Sequence, residues 1–407
     1  MKPPEPAVSA MTSTEASKLI SEGHESYELM LSMLTGIRTA VSKFASLPLQ
    51  RALTSADFNQ KWDGDFVARG TSETPAHRYA DFQFKDYAPL VFRQLRERFG
   101  IEAPDYMLSI ASEYVLVEMS TNSKSGSFFF YSADCRFILK TCSKREAAFL
   151  MAALPNYHAH LMENRFTLLC RFFGLHRVTP RSGKHVYFVV MGNVFPIDRP
   201  VHERYDLKGS TLGRETTSAE RLEPGVVCKD VDWIKKGRRL HLGADKKRRL
   251  LAQVQKDCAL LERMEVIDYS LLVGVHQTGA AGGSGAAGRR LHKVGQSGGG
   301  NGAAAEEAEA QRRAAVRILD TVSRQQLQEE ALRRGGGGAD PPPAGGAEAY
   351  FVGVIDILCE YGLKKQLEHH YKAARHGERG GAPASFSVVD PVQYSSRFQR
   401  FLEGAID

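Results

Sequence analysis

Two aspartates stand where a carboxylate is costly. Asp268 lies in EVIDYSLLVGVH (265–276) and Asp356 in YFVGVIDIL (350–358), each inside a run of Val, Ile, Leu, Tyr and Phe. A carboxylate beside a strand is most often a turn residue, a cap or half of a structural ion pair. The alternative is that both converge on a divalent cation, because hard oxygen ligands in a partly dry cleft suit Mg²⁺ that bridges nucleotide phosphates. That chemistry requires a lysine and a phosphate cradle elsewhere in the chain.

STNSKSGSFFFYSADCRFILK (120–140) offers both. A Ser/Gly-rich turn, Ser123, Lys124, Ser125, Gly126 and Ser127, exposes backbone N–H groups between two strand-like runs, and Lys140 ends the second run. Alone, SKSGS is more often a solvated hairpin. Followed by a strand that ends in lysine, it fits a phosphate site better than either part does alone. RYDLKGSTLGRETT (204–217) concentrates Asp206, Lys208 and Arg214 around glycines. A capped polar turn would explain its glycines but not its charges.

These residues need elements to carry them. SYELMLSMLTGIRTAVSKFASL (26–47) has apolar residues at helical spacing, and FKDYAPLVFRQLRERFG (84–100) reads as a second helix stopped by Gly100. From 101 to 140 the pattern reads as short strands with turns, Asp134 sitting in a hairpin-like turn. KREAAFLMAALPNYHAHLM then reads as helix broken by Pro155, and HVYFVVMGNVF (185–195) as a strand that leads to a Gly-Asn turn. The order of sheet, helix and sheet suggests a nucleotide lobe hinged to a second lobe. Residues 1–25 read as a polar, mobile N-terminus. Residues 278–349 are dominated by Gly, Ala and Pro, and read as a low-complexity insertion whose flanking strands, SLLVGVH and YFVGVIDIL, pair with each other.

DLKGSTLGR, KSGSFFFYSADCRFILK, IDYSLLVGVH, VGVIDIL and VVDPVQYSSRFQRFL closely resemble, in the same order, the motifs of the phosphatidylinositol phosphate kinases. The sequence is most similar to the plant-type branch of the phosphatidylinositol 4-phosphate 5-kinases (type I), across about 26–277 and 349–402. The resemblance implies an α+β fold of two lobes, distantly protein-kinase-like. An antiparallel sheet would form the N-lobe (about 26–190), and a smaller sheet with helices the C-lobe (about 191–407). It implies ATP and Mg²⁺ as cofactors and transfer of the γ-phosphate to the 5-hydroxyl of phosphatidylinositol 4-phosphate.

Residue by residue, Asp356 matches the metal-binding aspartate and Asp268 the catalytic-loop aspartate that orients or deprotonates the inositol hydroxyl. Lys140 matches the ATP lysine, and Ser123 to Ser127 the phosphate loop. VVMGN, with Met191 and Asn193, matches the hinge that holds adenine. Lys208 adds charge near the transferred phosphoryl, and Asp206 and Arg214 fall on the substrate side. Lys364, Lys365 and Glu368 lie in the segment after Asp356 that governs substrate choice, glutamate at that last position marking the 4-phosphate 5-kinases. The loop departs from the usual GKSGS at Ser123, and Ile267 stands where Met is usual, a volume-conserving change.

The formal charge of +7, from 54 Lys and Arg against 47 Asp and Glu, favours a partner that carries phosphates. The basic run KKGRRLHLGADKKRRLL (235–251) suits an anionic membrane surface. No groove-reading motif accompanies it, so nucleic acid is not expected. Six scattered cysteines without zinc spacing read as a reduced, intracellular protein. With no apolar leader, membrane contact should be peripheral, on the cytoplasmic side of the plasma membrane. Adjacent His369 and His370 do not share a helix face and make no metal pair. A homodimer is compatible with the resemblance. A catalytically weak phosphoinositide-binding scaffold, or a kinase of another isomer, is the alternative; joint retention of Lys140, Asp268 and Asp356 favours the enzyme.

Overall fold

A computed structural model describes residues 17–19, 24, 26–48, 52–111, 117–119, 127–132, 134–195, 199–223, 225–278, 347–362 and 389–407. The chain divides into two compact units, Met1–His276 with Tyr350–Asp407, and Gln277–Ala349. Of the second, only 277–278 and 347–349, the ends of two strands, are described. The described elements run β1 (Ser17–Leu19), α1 (Tyr27–Ala45), α2 (Ser55–Asn59), β2 (Lys61–Phe66), β3 (Phe82–Tyr87), α3 (Pro89–Arg98), α4 (Ala103–Ala111), β4 (Val117–Met119), β5 (Phe129–Tyr131), β6 (Phe137–Cys142) and α5 (Lys144–Glu163). They continue β7 (Phe172–Pro180), β8 (Val186–Gly192), β9 (Glu203–Leu207), β10 (Val227–Cys228), α6 (Asp230–Lys235), α7 (Ala244–Arg263), β11 (Ser270–Thr278), β12 (Ala347–Ile355) and α8 (Pro391–Ala405).

The N-terminal sheet has eight strands in the order β1-β4-β5-β6-β8-β7-β3-β2, antiparallel throughout. Helix α1 packs on it through Met30, Met33, Leu34, Ile37, Val41 and Phe44, an i, i+3, i+4, i+7 stripe that is buried along its length. The approach is close at Gly36, where an added Cβ would stand 1.9 Å from the Phe84 ring.

Several elements differ from the sequence reading. Residues 84–87 are strand, not helix: Phe82, Phe84 and Asp86 are buried in alternation, the period of a strand. The switch to α3 occurs at Ala88, which takes φ 44, with Pro89 at the first helical position. Residues 103–111, read as strand, form α4, where Tyr106 and Ile110 bury one turn apart. Pro155 does not break α5, because it is exposed while Leu150, Leu154, Tyr157 and Leu161 bury the other face. A Ser143–Glu146 capping box starts that helix. Strand β1 forms within the stretch expected to be mobile, its backbone pairing with β4. Strands β2 and β7 were not anticipated.

The second sheet runs β10-β9-β11-β12, with β9 antiparallel to β11 and β10 parallel to β9. Strands β11 and β12 are neighbours, as expected for the segments that flank 278–349. Helices α7 and α8 pack against each other, with Tyr394, Phe398, Leu402 and Ala405 of α8 buried. Each large apolar side chain buried here contributes roughly 1.5–3 kcal/mol.

Candidate active site

Lys140 and Asp356 meet. The Lys140 ammonium, on β6, donates to Asp356 Oδ1 at 3.0 Å across 216 residues of sequence. Register with Val189 of β8 and Phe129 of β5 fixes the lysine, whose ammonium also lies 5.1 Å from the Phe129 ring centre. Burial alone would lower its pKa, yet the charge of Asp356 and the hydrogen bond to it hold the ammonium above its ordinary range. The lysine side chain is largely enclosed, at 19 % exposure, whereas Asp356 remains 47 % exposed. One carboxylate therefore faces both a buried cation and solvent.

Asp268 and Asp356 share an unusual backbone. Both take left-handed values, φ 64 and φ 61, one just before β11 and the other just after β12. Aspartate enters this region more readily than most side chains, since it can bond its own backbone there. A short antiparallel ladder ties the two segments: Ile267 N–H donates to the Cys359 carbonyl at 3.0 Å and Tyr361 N–H to the Glu265 carbonyl at 2.8 Å, about a Val266–Glu360 bridge. The thiol of Cys359 lies 3.9 Å from Asp268 Oδ2.

The DLKGS turn reaches the same end of the sheet. Leu207, the last residue of β9, opposes Leu271, near the start of β11, so the chain leaves β9 where Asp268 delivers β11. Asp230, fully buried, gathers the turn by accepting from the N–H groups of Lys208 at 2.9 Å and Gly209 at 2.7 Å. Gly209 takes φ 68, and a Cβ there would come 3.0 Å from Phe401 of α8, so both conformation and space call for glycine. The Lys208 ammonium has no ion-pair partner among the described residues.

Arg214 is engaged in bracing. Its Nε donates to Asp230 at 2.8 Å and its NH2 to Asp206 Oδ1 at 2.6 Å. Burial opposes the guanidinium charge, but these two carboxylates outweigh it and raise the pKa. Asp206 and Arg214 thus come together, as a pair that holds the turn. Met191 lies near the end of β8, paired with Ile138 of β6, and Asn193 follows the strand's last residue. The Asn193 amide donates to the Cys135 carbonyl at 3.0 Å and accepts from Phe195 N–H at 3.1 Å. Ser127 precedes β5; Ser123, Lys124, Ser125, Gly126, Lys364, Lys365 and Glu368 lie outside the described residues.

Sequence reasoning missed the supports. Tyr394 of α8 donates its hydroxyl to the Tyr269 carbonyl, next to Asp268. The Tyr394 and Phe398 rings meet Tyr269 edge-on, at 4.6 and 5.1 Å between centres. The signal was present: Tyr394, Phe398 and Phe401 recur at helical spacing in VVDPVQYSSRFQRFL behind an Asp390 cap. Asp230 carried no comparable signal.

Among the described residues no cluster of three or more His, Cys, Asp or Glu could hold a metal ion. A half-exposed carboxylate such as Asp356 nonetheless fits Mg²⁺, which is commonly held by one or two carboxylates together with nucleotide phosphates. No helix among those residues is long and apolar enough to cross a membrane.

Residues 110–405 match the family described as Phosphatidylinositol-4-phosphate 5-Kinase. The chain is similar to phosphatidylinositol 4-phosphate 5-kinase its3 of Schizosaccharomyces pombe, 36% identical over 95% of this chain and 54% of that protein. It is 36% identical to a probable phosphatidylinositol phosphate kinase of Dictyostelium discoideum, over 96% of this chain and 59% of the other. Phosphatidylinositol 4-phosphate 5-kinase 1 of Arabidopsis thaliana is 37% identical, over 94% and 53%. The chain spans little more than half the length of these relatives. With most of its length matched and the α+β architecture in place, the chain belongs to the phosphatidylinositol-4-phosphate 5-kinase family.

Proposed function

We propose that this chain is a lipid kinase that transfers the γ-phosphate of ATP to the 5-hydroxyl of phosphatidylinositol 4-phosphate. The observation that carries the reading is the contact of Lys140 with Asp356, beside the ladder that holds Asp268. Lys140 and Asp356 meet at a partly open position, and the ladder sets the segment of Asp268 alongside that of Asp356.

Mg²⁺ bound at Asp356 would neutralise charge on the β and γ phosphates. Lys140 would turn from Asp356 to the α and β phosphates, exchanging one anion for another in the same enclosed position. The Lys208 ammonium, free of ion pairs among the described residues, is available to the phosphoryl group in transit. Asp268, held rigid by the ladder and by Tyr394, would orient the attacking hydroxyl and take its proton. Positioning and charge suffice, with no covalent enzyme intermediate.

The names of the relatives support phosphatidylinositol 4-phosphate as substrate. A lipid substrate brings with it a peripheral position on an anionic leaflet, on the cytoplasmic face of the plasma membrane. The basic run 235–251 is a weaker contributor than its composition suggests: Lys235, Arg238, Arg239 and Arg248 are paired with Glu215, Glu203, Asp407 and Asp245. The net attraction of those four is small.

Asp268→Asn and Asp356→Asn test the division of roles. Both should lose phosphoryl transfer, and nucleotide affinity in Mg²⁺ should fall mainly in Asp356→Asn. Near-native turnover in both variants would refute the assignment.

A further inference from the structure

We propose that Asp257 is a positioning residue for Asp356, acting through the backbone of 167–170. This rests on the reading of Asp356 as the magnesium carboxylate. Asp257 sits in α7 at 1 % exposure, and four donors converge on it. Its Oδ1 accepts from His160 Nε2 and Thr167 Oγ1, both at 2.7 Å, and from Gln253 Nε2 at 2.9 Å. Its Oδ2 accepts from Leu168 N–H at 2.8 Å. The Asn164 amide nitrogen lies 3.3 Å from His160 Nδ1, on the side of the ring away from Asp257.

The far side of that same peptide chain holds the strand of Asp356. The Leu168 carbonyl accepts from Val354 N–H at 2.7 Å, and Cys170 N–H donates to the Val354 carbonyl at 2.8 Å. Leu169 and Val354 form the parallel bridge between them. Two residues later comes Asp356, already in a left-handed conformation that its neighbours must enforce. Tyr157 of α5 anchors the other end of the linker by donating to the Cys170 carbonyl at 2.8 Å.

Asp257 therefore links two carriers. Helix α7 delivers Asp268 after its last turn, and the linker 167–170 clamps the strand that delivers Asp356. A single buried carboxylate, bonded to both, fixes their spacing. A neutral amide cannot replace it without loss, because the backbone N–H of Leu168 cannot turn and the carboxamide must aim its own NH2 at one set of donors or the other. Buried carboxylates are costly to desolvate, and four strong hydrogen bonds are what keep this one in place.

The test uses the full chain and reads ATP affinity in excess Mg²⁺ and in EDTA, the ratio being the magnesium-dependent gain. Asp257→Asn should lose roughly tenfold or more of that gain, as changes to residues behind metal ligands commonly do, while affinity in EDTA stays near native. In the Asp356→Asn background, Asp257→Asn should remove nothing further. Thr167→Val, which takes one donor from Oδ1 and the acceptor of the Leu169 N–H at 3.2 Å but leaves the Leu168 bond, serves as the milder variant and should give a smaller loss in the same direction. A lowered thermal midpoint with the gain intact in both single variants would overturn the proposal. So would losses that add in full when Asp257→Asn and Asp356→Asn are combined. A gain retained by Asp356→Asn would overturn the magnesium reading itself, and this inference with it.

Discussion

Asp230→Ala asks whether one carboxylate holds the turn after β9. In the native protein Asp230 is fully buried and accepts from three backbone N–H groups, at 2.9, 2.7 and 3.4 Å, and from Arg214 Nε at 2.8 Å. Alanine removes the acceptor of every one of these donors. A buried N–H left unpaired costs about 1–3 kcal/mol, and a buried ion pair broken on one side about 3–5 kcal/mol. The two costs overlap, because Arg214 keeps Asp206 at 2.6 Å, so the combined loss should be about 4 kcal/mol. At roughly 2 °C per kcal/mol for a chain of this size, the thermal midpoint should fall by about 8 °C at a fixed scan rate. Asp245→Ala is the control: its pair with Arg248 is more than half exposed on both sides, and its loss should shift the midpoint by less than about 1 °C. Phosphoryl transfer measured alongside should collapse in Asp230→Ala, since Lys208 leaves the site with its turn. A midpoint within about 2 °C of native, with native turnover, would refute the reasoning.

Gly209→Ala should cost about 1–2 kcal/mol from the left-handed backbone alone, and more from the Phe401 contact, read as a fall in the denaturation midpoint. Stability should also fall in alkali: burial pushes the thiols of Cys142, Cys170 and Cys258 from 9.0 up to about 12. Below pH 9 folded and unfolded thiols are alike protonated. Above it the unfolded chain releases protons that the folded one keeps, so each thiol should remove about 1.4 kcal/mol per pH unit, checked by thermal midpoints from pH 8 to 10.5. Glu368→Ala should erase the native preference for phosphatidylinositol 4-phosphate over the 5-phosphate lipid in a vesicle assay; an unchanged preference would remove Glu368 from substrate choice.

What was legible in the sequence was the chemistry, because Lys140, Asp268 and Asp356 stand out as charges inside β-prone runs and DLKGS as a cluster of charge and glycine. Their meeting was not legible, since nothing local links Lys140 to a residue 216 positions away. The helices with clean 3.6-residue stripes, α1 and α5, were readable, apart from the proline that α5 tolerates on its exposed face. FKDY was misread because a two-residue alternation just ahead of a helix mimics a first turn, and DYMLSI because Tyr and Ile favour strands until tertiary burial decides. The bracing carboxylates were invisible for a different reason. Asp257 bonds Leu168 across 89 residues and Asp230 bonds Lys208 across 22, so neither carries a local signature. Arg214, read toward substrate, is engaged by Asp206 and Asp230, partners that no spacing rule supplies.

The most direct measurement is transfer of labelled γ-phosphate from ATP to vesicles that contain phosphatidylinositol 4-phosphate, comparing native chain with Asp356→Asn and identifying the ring position of the product. The site built from Lys140, Asp268 and Asp356 predicts phosphatidylinositol 4,5-bisphosphate from the native chain and at least a hundredfold loss, as an order of magnitude, in the variant. Lipid bound by the native chain without phosphate transfer, or equal transfer by both proteins, would contradict it.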